Sequence, residues 1–206
     1  LDLEGYGQPR MASDKDFLEL VEKFSTSAKL AQECGFDGVE IHAAHGYLLS
    51  SSLSPRINNR KDKWGGSFEN RARLLQLILQ KVRESVGNNF ILAVKINSSD
   101  FQKGGLEISD SVKIANLIEK ENIDFIEVSG GNFEAPEAYQ YVSLKESTKS
   151  REAYFLDAAK NIKASVSIPI MVTGGFRSIS VMEDALTSSS TDLIGIGRPF
   201  VIDPSF

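Results

Sequence analysis

The chain has 206 residues, of which 41% are hydrophobic and 25% are charged, the composition of an ordinary globular domain. Its formal net charge of −5 argues against binding to nucleic acids or to anionic membrane surfaces. The single cysteine excludes an internal disulfide framework and suits a reducing compartment, so we expect a cytoplasmic protein. No apolar run approaches the roughly 20 residues that a membrane-spanning helix needs.

Five short apolar runs with the composition of buried strands recur along the chain, and amphipathic helical patterns separate them. The predicted strands occupy residues 36–41, 90–96, 123–128, 169–172 and 193–196. The predicted helices occupy residues 13–35, 67–87, 108–121, 151–164 and 179–187, and a long polar loop is predicted over about 50–66. This alternation predicts an α/β fold with a parallel sheet and right-handed crossovers.

The first two helices carry clear end signals. Ser13 and Asp16 form a capping-box pattern before the first helix, and Gly35 follows its last apolar residue. Ser67 is a favourable first cap for the second helix, and Gly87 follows its end. These signals fix the helix limits independently of the apolar pattern.

Both histidines of the chain lie in the segment EIHAAHGY (40–47), at the end of the first predicted strand. In a continuing strand His42 and His45 would point to opposite faces. If the strand ends at His42 and the chain turns, both imidazoles and the Tyr47 phenol can face one point, where they could polarise a carbonyl and deliver a proton. An ordinary polar strand end explains the same residues, and local sequence does not decide between the two.

A metal site is the weaker interpretation of this segment, and we predict none. Zinc usually takes three or four protein ligands, and we expect Glu40 to lie on the other face of the strand. The only cysteine, Cys34, comes before the strand, at the end of the first helix.

Polar or glycine residues lie at the carboxyl end of every predicted strand. These residues are His42, Lys95, Ser129, Gly174 and Arg198. The carboxyl ends of parallel strands meet at one edge of the sheet, where both α/β barrels and doubly wound sheets carry their active sites. Lys95 needs an anionic or dipolar partner there, unless its stem snorkels to the surface. The pattern predicts a site at this edge without deciding between the two folds.

The last two predicted strands are each followed by a glycine-rich loop. The first loop contains Gly174, Gly175 and Phe176 and opens a short helix, and the second contains Gly197 and Arg198. Glycine lets backbone N–H groups approach an anion, a helix N-terminus attracts negative charge, and arginine binds phosphate oxygens through two donors. The two loops favour a phosphate site, although ordinary tight turns also use glycine.

Together these motifs resemble the Old Yellow Enzyme family of FMN-dependent ene-reductases and NADH:flavin oxidoreductases, over nearly the whole chain and in the right order. The segments that carry the resemblance are GVEIHAAHGYLL (38–49), LSP (53–55), GGSFENR (65–71), SGG (129–131), REAYF (151–155), TGG (173–175) and GIGRP (195–199). The family fold is a TIM (β/α)8 barrel. The resemblance therefore implies that residues 1–206 form a single incomplete FMN-binding domain, with strands four to eight and their helices, and that strands one to three and the last helix lie outside the chain.

The resemblance also implies roles for individual residues. His42 and His45 would bind the carbonyl oxygen of the substrate, and Tyr47 would protonate its α-carbon. Lys95 would lie beside N1 and the C2 carbonyl of the flavin and favour its anionic reduced form. The residues implied to bind FMN through its phosphate are Gly174, Gly175, Phe176, Gly197 and Arg198.

The implied reaction reduces the C=C bond of an α,β-unsaturated carbonyl compound, with NAD(P)H as the hydride donor to FMN. The implied partner is a small-molecule enone; no nucleic acid or membrane partner is expected, and the full-length protein could be a homo-oligomer. The alternatives are a non-catalytic half-barrel unable to hold FMN, the barrel of a dienoyl-CoA-type reductase, and a phosphate-binding lyase or isomerase without flavin. We expect the chain alone to bind FMN poorly and to expose a barrel edge.

Three departures from the family pattern stand near the predicted site. Lys95 replaces an arginine that many relatives carry, and Trp64 replaces a tyrosine. Ser51 and Ser52 replace a glutamine and a phenylalanine, and we expect the loss of the phenylalanine to loosen the loop beside the site.

Overall fold

The computed structural model of the chain describes residues 10–132 and 151–206, and strands and helices alternate within these ranges. The strands are β1 (Gly38–Ala43), β2 (Ile91–Asn97), β3 (Phe125–Ser129), β4 (Ile170–Thr173) and β5 (Leu193–Gly195). The helices are α1 (Asp14–Glu33), α2 (Leu48–Leu53), α3 (Phe68–Val86), α4 (Ile108–Glu119), α5 (Leu156–Lys163), α6 (Ile179–Thr187) and α7 (Arg198–Ile202). None of these helices is long and apolar enough to cross a membrane.

The five described strands form one parallel sheet in the order β1-β2-β3-β4-β5. Each strand therefore pairs with its neighbours in sequence. A doubly wound sheet reverses its strand order at a switch point, whereas a barrel adds each strand beside the last. The sheet confirms the predicted α/β class and has the strand order of a barrel segment.

The two faces of the sheet differ in chemistry. One face packs against the helices, and a buried apolar row crosses it in register through Ile41, Val94, Ile126 and Ile170. The other face carries Glu40. It also carries His42 on β1, Lys95 on β2 and Glu127 on β3, which lie opposite one another in register. In a closed barrel the face without helices is the interior. The polar residues therefore lie on the face that would form the interior of a closed barrel.

The predicted ends of the two long helices are confirmed. Ser13 and Asp16 form the capping box of α1, in which each side chain bonds the backbone of the other residue. The Ser67 side chain accepts the N–H of Asn70 at the start of α3. Gly87 ends α3 in a left-handed conformation with φ +74°, which glycine adopts without strain.

Several predicted limits differ from the structure. β1 begins only at Gly38, because Phe36 is 65% exposed and lies before the sheet. The strand continues to Ala43. The predicted loop over 50–66 begins later, because α2 extends to Leu53. The helix predicted from residue 151 begins only at Leu156, because Ala153 has φ +51° and a right-handed helix cannot pass through that conformation.

The layer arrangement predicts unequal costs for two leucine truncations on neighbouring helices. Leu75 on α3 is fully buried, so Leu75→Ala should lower the free energy of unfolding by about 2–5 kcal/mol. Leu18 on α1 is 56% exposed, so Leu18→Ala should cost less than about 0.5 kcal/mol. Urea unfolding of both variants measures the difference, and equal losses would contradict the assigned core face.

Candidate active site

The two histidine rings meet because the chain bends after β1. The strand continues past His42 to Ala43, and the bend is made by His45 (φ +63°) and Gly46 (φ +79°). The centroids of the His42 and His45 rings are 5.1 Å apart, and those of the His42 and Tyr47 rings are 5.4 Å apart. A left-handed non-glycine residue is uncommon and costly, so its neighbours must hold it in this conformation.

The side chain of Asn97, at the end of β2, holds the bend. Its Oδ1 accepts the backbone N–H of His45 at 3.0 Å. Its Nδ2 donates to Asp100 Oδ1 and to the backbone oxygen of Gly131, each at 3.0 Å. One buried amide therefore joins the chain segments that follow β1, β2 and β3.

Serines of α2 bind the same bend from the other side. Ser50 Oγ accepts the N–H of Gly46 at 3.1 Å, and Ser51 Oγ donates to the Gly46 oxygen at 2.8 Å. Ser52 Oγ donates to the Leu49 oxygen at 2.7 Å. Ser51 and Ser52, which depart from the family pattern, thus each make a backbone hydrogen bond, and the expected loosening of this loop through the loss of the phenylalanine stays a prediction.

Both imidazoles lie in surroundings that favour the neutral form. Burial first, and then the neighbouring His42 and Lys95, lower the pKa of His45 to about 4. Burial and Lys95 also lower the pKa of His42. His45 Nε2 lies 2.8 Å from Ser129 Oγ, and the tautomer decides which atom donates. At neutral pH each ring can therefore offer an N–H without carrying a charge.

The predicted Lys95 has an anionic partner on the next strand. Its Nζ lies 2.6 Å from Glu127 Oε1. Glu40 also hydrogen-bonds to Glu127, so Glu40 lies on the same face as His42. The expectation that Glu40 faces the other side was wrong, because strand residues two apart share a face. Within the described ranges no three potential metal ligands come together.

A cavity of about 830 Å³ lies at the carboxyl ends of the strands, and its size is typical of cofactor sites. Eight of the nine residues predicted for the site line it: His45, Tyr47, Lys95, Gly174, Gly175, Phe176, Gly197 and Arg198. The ninth, His42, is not among the lining residues, but its ring contacts those of His45 and Tyr47, which are. The structure therefore brings the histidine segment and the glycine loops to one cavity.

The glycine loops leave little room for side chains around part of the cavity. Gly175 has φ +77°, and a Cβ there would meet the Tyr154 ring at 2.3 Å. At Gly197, by contrast, a Cβ would meet nothing within 4 Å. Arg198 Nη2 donates to the Tyr154 hydroxyl at 3.2 Å. The loops thus combine tightly packed glycines (Gly174 and Gly175), one open glycine and a guanidinium at the cavity wall.

The start of α6 differs from the prediction. We expected its N-terminus to attract the phosphate, but the Glu152 carboxylate already accepts the N–H groups of Arg177 and Ser178, each at 2.8 Å. These hydrogen bonds, together with that from the Ser178 hydroxyl, outweigh the effect of burial and lower the pKa of Glu152. Glu152 therefore takes the place that an anion would occupy at this helix end.

A nearby donor remains available for an anion. Arg177 lines the cavity, and its buried Nε has no hydrogen-bond partner among the described residues. Buried polar groups are rarely left unpaired, so this atom indicates a missing acceptor. Arg177 Nε, the Arg198 guanidinium and the unobstructed backbone at Gly197 together form a set of donors that fits the phosphate of a flavin nucleotide.

Four residues of this cavity region were assigned no role in binding or catalysis from the sequence. They are Asn97, Glu127, Ser129 and Tyr154. Ser129 and Tyr154 lie inside motifs that carry the family resemblance, and Asn97 follows the second predicted strand by one residue. Their positions in motifs and at strand ends can be seen in the sequence. The residues that they contact are distant in sequence, so only the fold shows those contacts.

Comparison with known proteins agrees with this arrangement. Residues 4–206 match the model of the NADH:flavin oxidoreductase / NADH oxidase family. The NADH-dependent flavin oxidoreductase iliE of Neonectria sp. (strain DH2) is 40% identical over 97% of this chain and 27% of the relative. The NADH oxidase of Thermoanaerobacter brockii is 31% identical over 97% of this chain and 30% of the relative. The chain thus spans between about a quarter and a half of the first curated relatives it matches.

Solved structures show the same fold. A 2-naphthoyl-CoA reductase in complex with 2-naphthoyl-CoA has a TM-score of 0.89 and 31% identity, over 98% of this chain and 30% of that chain. The old yellow enzyme homologue from Zymomonas mobilis has a TM-score of 0.74 and 23% identity, over 97% of this chain and 53% of that chain, and supports the fold alone. The α/β sheet is therefore part of a TIM barrel, and the chain belongs to the NADH:flavin oxidoreductase / NADH oxidase family, as its resemblance to Old Yellow Enzyme indicated.

Proposed function

We propose that the protein containing this chain is an FMN-dependent oxidoreductase that uses NAD(P)H to reduce the C=C bond of α,β-unsaturated carbonyl compounds. The observation that carries this proposal is the convergence of His42, His45 and Tyr47 beside a cavity with phosphate-type donors at its other end. Such a cavity has a carbonyl-binding group, a proton donor and an anion-binding group in one space.

Each residue of the histidine segment has a defined task in this proposal. His42 and His45, both neutral, donate hydrogen bonds to the substrate carbonyl oxygen and stabilise the negative charge that develops on it. The Tyr47 hydroxyl, beside His42, gives a proton to the α-carbon. FMN, when bound, supplies the hydride chemistry between NAD(P)H and the substrate.

The other end of the cavity would hold the cofactor. Arg198 and the unpartnered Arg177 Nε would bind the phosphate, and Gly175, Phe176 and Gly197 would bring backbone close to it. Gly174 continues the same loop, with φ +155°. Lys95, which lines the same cavity, would contribute a fixed cation to the flavin ring.

Unsaturated CoA thioesters are a second candidate substrate class. The observation that favours them is the TM-score of 0.89 to a 2-naphthoyl-CoA reductase. A thioester also offers a carbonyl oxygen to His42 and His45, so the same residues would serve. Comparing turnover of a small enone with that of the matching enoyl-CoA distinguishes the two classes.

The two half-reactions separate the roles of the histidine segment. In the FMN-loaded protein, His42→Ala should slow enone reduction about 100-fold, because one oxyanion donor is lost. Tyr47→Phe should slow the same step about 100-fold or more, because the ring remains and only the proton donor is lost. Stopped-flow flavin absorbance measures both half-reactions.

Reduction of FMN by NAD(P)H in the same two variants is the internal control and should stay within about threefold of the wild-type rate. Unchanged enone reduction in His42→Ala would overturn the assignment of the histidine pair. Equal losses in both half-reactions would indicate damage to the fold instead.

Arg198→Ala should raise the dissociation constant for FMN about 10- to 100-fold, because a charge-assisted hydrogen bond to phosphate is lost. Riboflavin has no phosphate, so its affinity should stay unchanged in the same variant. Arg56→Ala, which removes an exposed arginine bonded to the Lys103 oxygen, is the matched control. Fluorescence titration measures all three, and an equal loss of riboflavin affinity would contradict a phosphate contact.

The neutral state of His45 predicts a pH dependence of stability. Its folded pKa of about 4 lies below the unfolded value of about 6.5, so the unfolded state binds more protons between these pH values. Stability should therefore fall as the pH drops from 7 to 5, by about 1 kcal/mol for this group after allowance for solvent screening.

His45→Asn removes this titration and keeps a polar group near Ser129. Denaturant unfolding at pH 7 and pH 5 should therefore show a smaller difference in His45→Asn than in the wild-type protein. An unchanged difference would mean that His45 is not held neutral.

A further inference from the structure

Three charged side chains meet on the helix-free face of the first three strands. Lys95 on β2 lies opposite Glu127 on β3 in the register, and their Nζ and Oε1 atoms are 2.6 Å apart. Glu40 on β1 reaches across β2 and hydrogen-bonds to Glu127. Glu127 is buried, and Thr173 on β4 also acts on its carboxylate. Two carboxyl groups thus share the surroundings of one ammonium group.

The two carboxyl groups do not ionise alike. Burial opposes ionisation of Glu127, but the hydrogen bonds from Lys95 and Thr173 outweigh it and lower the pKa of Glu127. Desolvation of the carboxyl, and then the negative charge of Glu127, raise the pKa of Glu40 to about 7. The charged or titratable groups that face Glu40 are Glu127, Lys95 and, on its own strand, His42.

We propose that Glu127 is a positioning residue for Lys95, and that Glu40 and Glu127 hold one proton between them. The role of Lys95 toward FMN rests on the proposed function; the shared proton does not. A lysine stem has four rotatable bonds, so its ammonium is fixed only where an acceptor holds it. Two neighbouring carboxylates favour a state in which one of them stays protonated.

This arrangement sets the charge beside the cavity. With one proton on the pair, the group formed by Glu40, Lys95 and Glu127 has a net charge of zero. When the proton leaves, the net charge becomes −1, which disfavours electrons on a nearby flavin. Glu127 would thus fix the position of the cation, and Glu40 would decide how much of its charge remains uncompensated.

The carboxyl titration tests the shared proton without any cofactor. In the ligand-free protein labelled with 13C at glutamate carboxyls, Glu40 should titrate near pH 7, and Glu40→Gln assigns its signal. Glu127→Gln removes the negative charge beside Glu40, so the Glu40 pKa should fall by about one unit or more. A Glu40 pKa that stays the same in Glu127→Gln would overturn the shared proton.

Cofactor affinity tests the positioning role. Glu127→Ala should raise the FMN dissociation constant about tenfold, whereas Glu127→Gln, which keeps an oxygen for Lys95, should retain most of the affinity. If Glu127 acts through Lys95, the double variant Lys95→Met/Glu127→Ala should bind FMN no more weakly than Lys95→Met. Additive losses in the double variant would overturn the positioning role.

The flavin midpoint potential tests the charge. It should fall more steeply with pH above about 7 in the wild-type protein, and this extra slope should vanish in Glu40→Gln, in which no proton can leave. The same extra slope in Glu40→Gln would overturn the role of Glu40. If Lys95→Met leaves FMN affinity and potential unchanged while Glu40 of the wild-type protein titrates near 7, the shared proton stands, and the flavin contact assigned to Lys95 in the proposed function is wrong.

Discussion

Parallel pairing of β1, β2 and β3 fixes which side chains face one another across the sheet. It sets His42 opposite Lys95 and Lys95 opposite Glu127 on the face opposite the helix-packed one. A slip of one residue in either pairing would turn these side chains into the helix-packed core and bring apolar residues to the cavity. The buried row on the opposite face, from Ile41 to Ile170, makes such a slip costly, so packing of the core determines the chemistry of the site.

The ends of the strands add a second constraint. The bend at His45 needs an uncommon backbone conformation, and the buried Asn97 amide holds it together with the chain beyond β3. The side chains proposed as catalytic are therefore attached to β1 and to a hydrogen-bonded bend rather than to a free loop. Such fixed donors act on a developing charge without reorganising, which is the main electrostatic advantage of an enzyme site.

Much of the fold could be predicted from the sequence, because local signals determine it. The cap at Ser13, the glycine at Gly87 and the five apolar runs indicated helices and strands near their observed limits. The edge of the sheet that carries the site followed from the same alternation, since parallel strands end together. The left-handed bend at His45 was not predictable, because it depends on an acceptor 52 residues away.

Long-range polar pairs account for the other differences. Glu152 accepts the two backbone N–H groups just before α6, 25 and 26 residues further along the chain, and no local pattern indicated this contact. The contact between Glu40 and Glu127 spans a whole strand, so both acids looked like ordinary strand residues in the sequence. The sequence indicated residue types suited to phosphate and carbonyl groups, but it did not indicate the distant side chains that contact them.

The most direct test of the account is a crystal structure of the protein that contains this chain, with FMN and an unreactive carbonyl ligand. We predict that the ligand oxygen lies within hydrogen-bond distance of His42 and His45, and that the phosphate contacts Arg198 and Arg177. Lys95 should remain bonded to Glu127 beside the flavin ring. A phosphate bound away from these loops, or a carbonyl oxygen bound away from both histidines, would contradict the account.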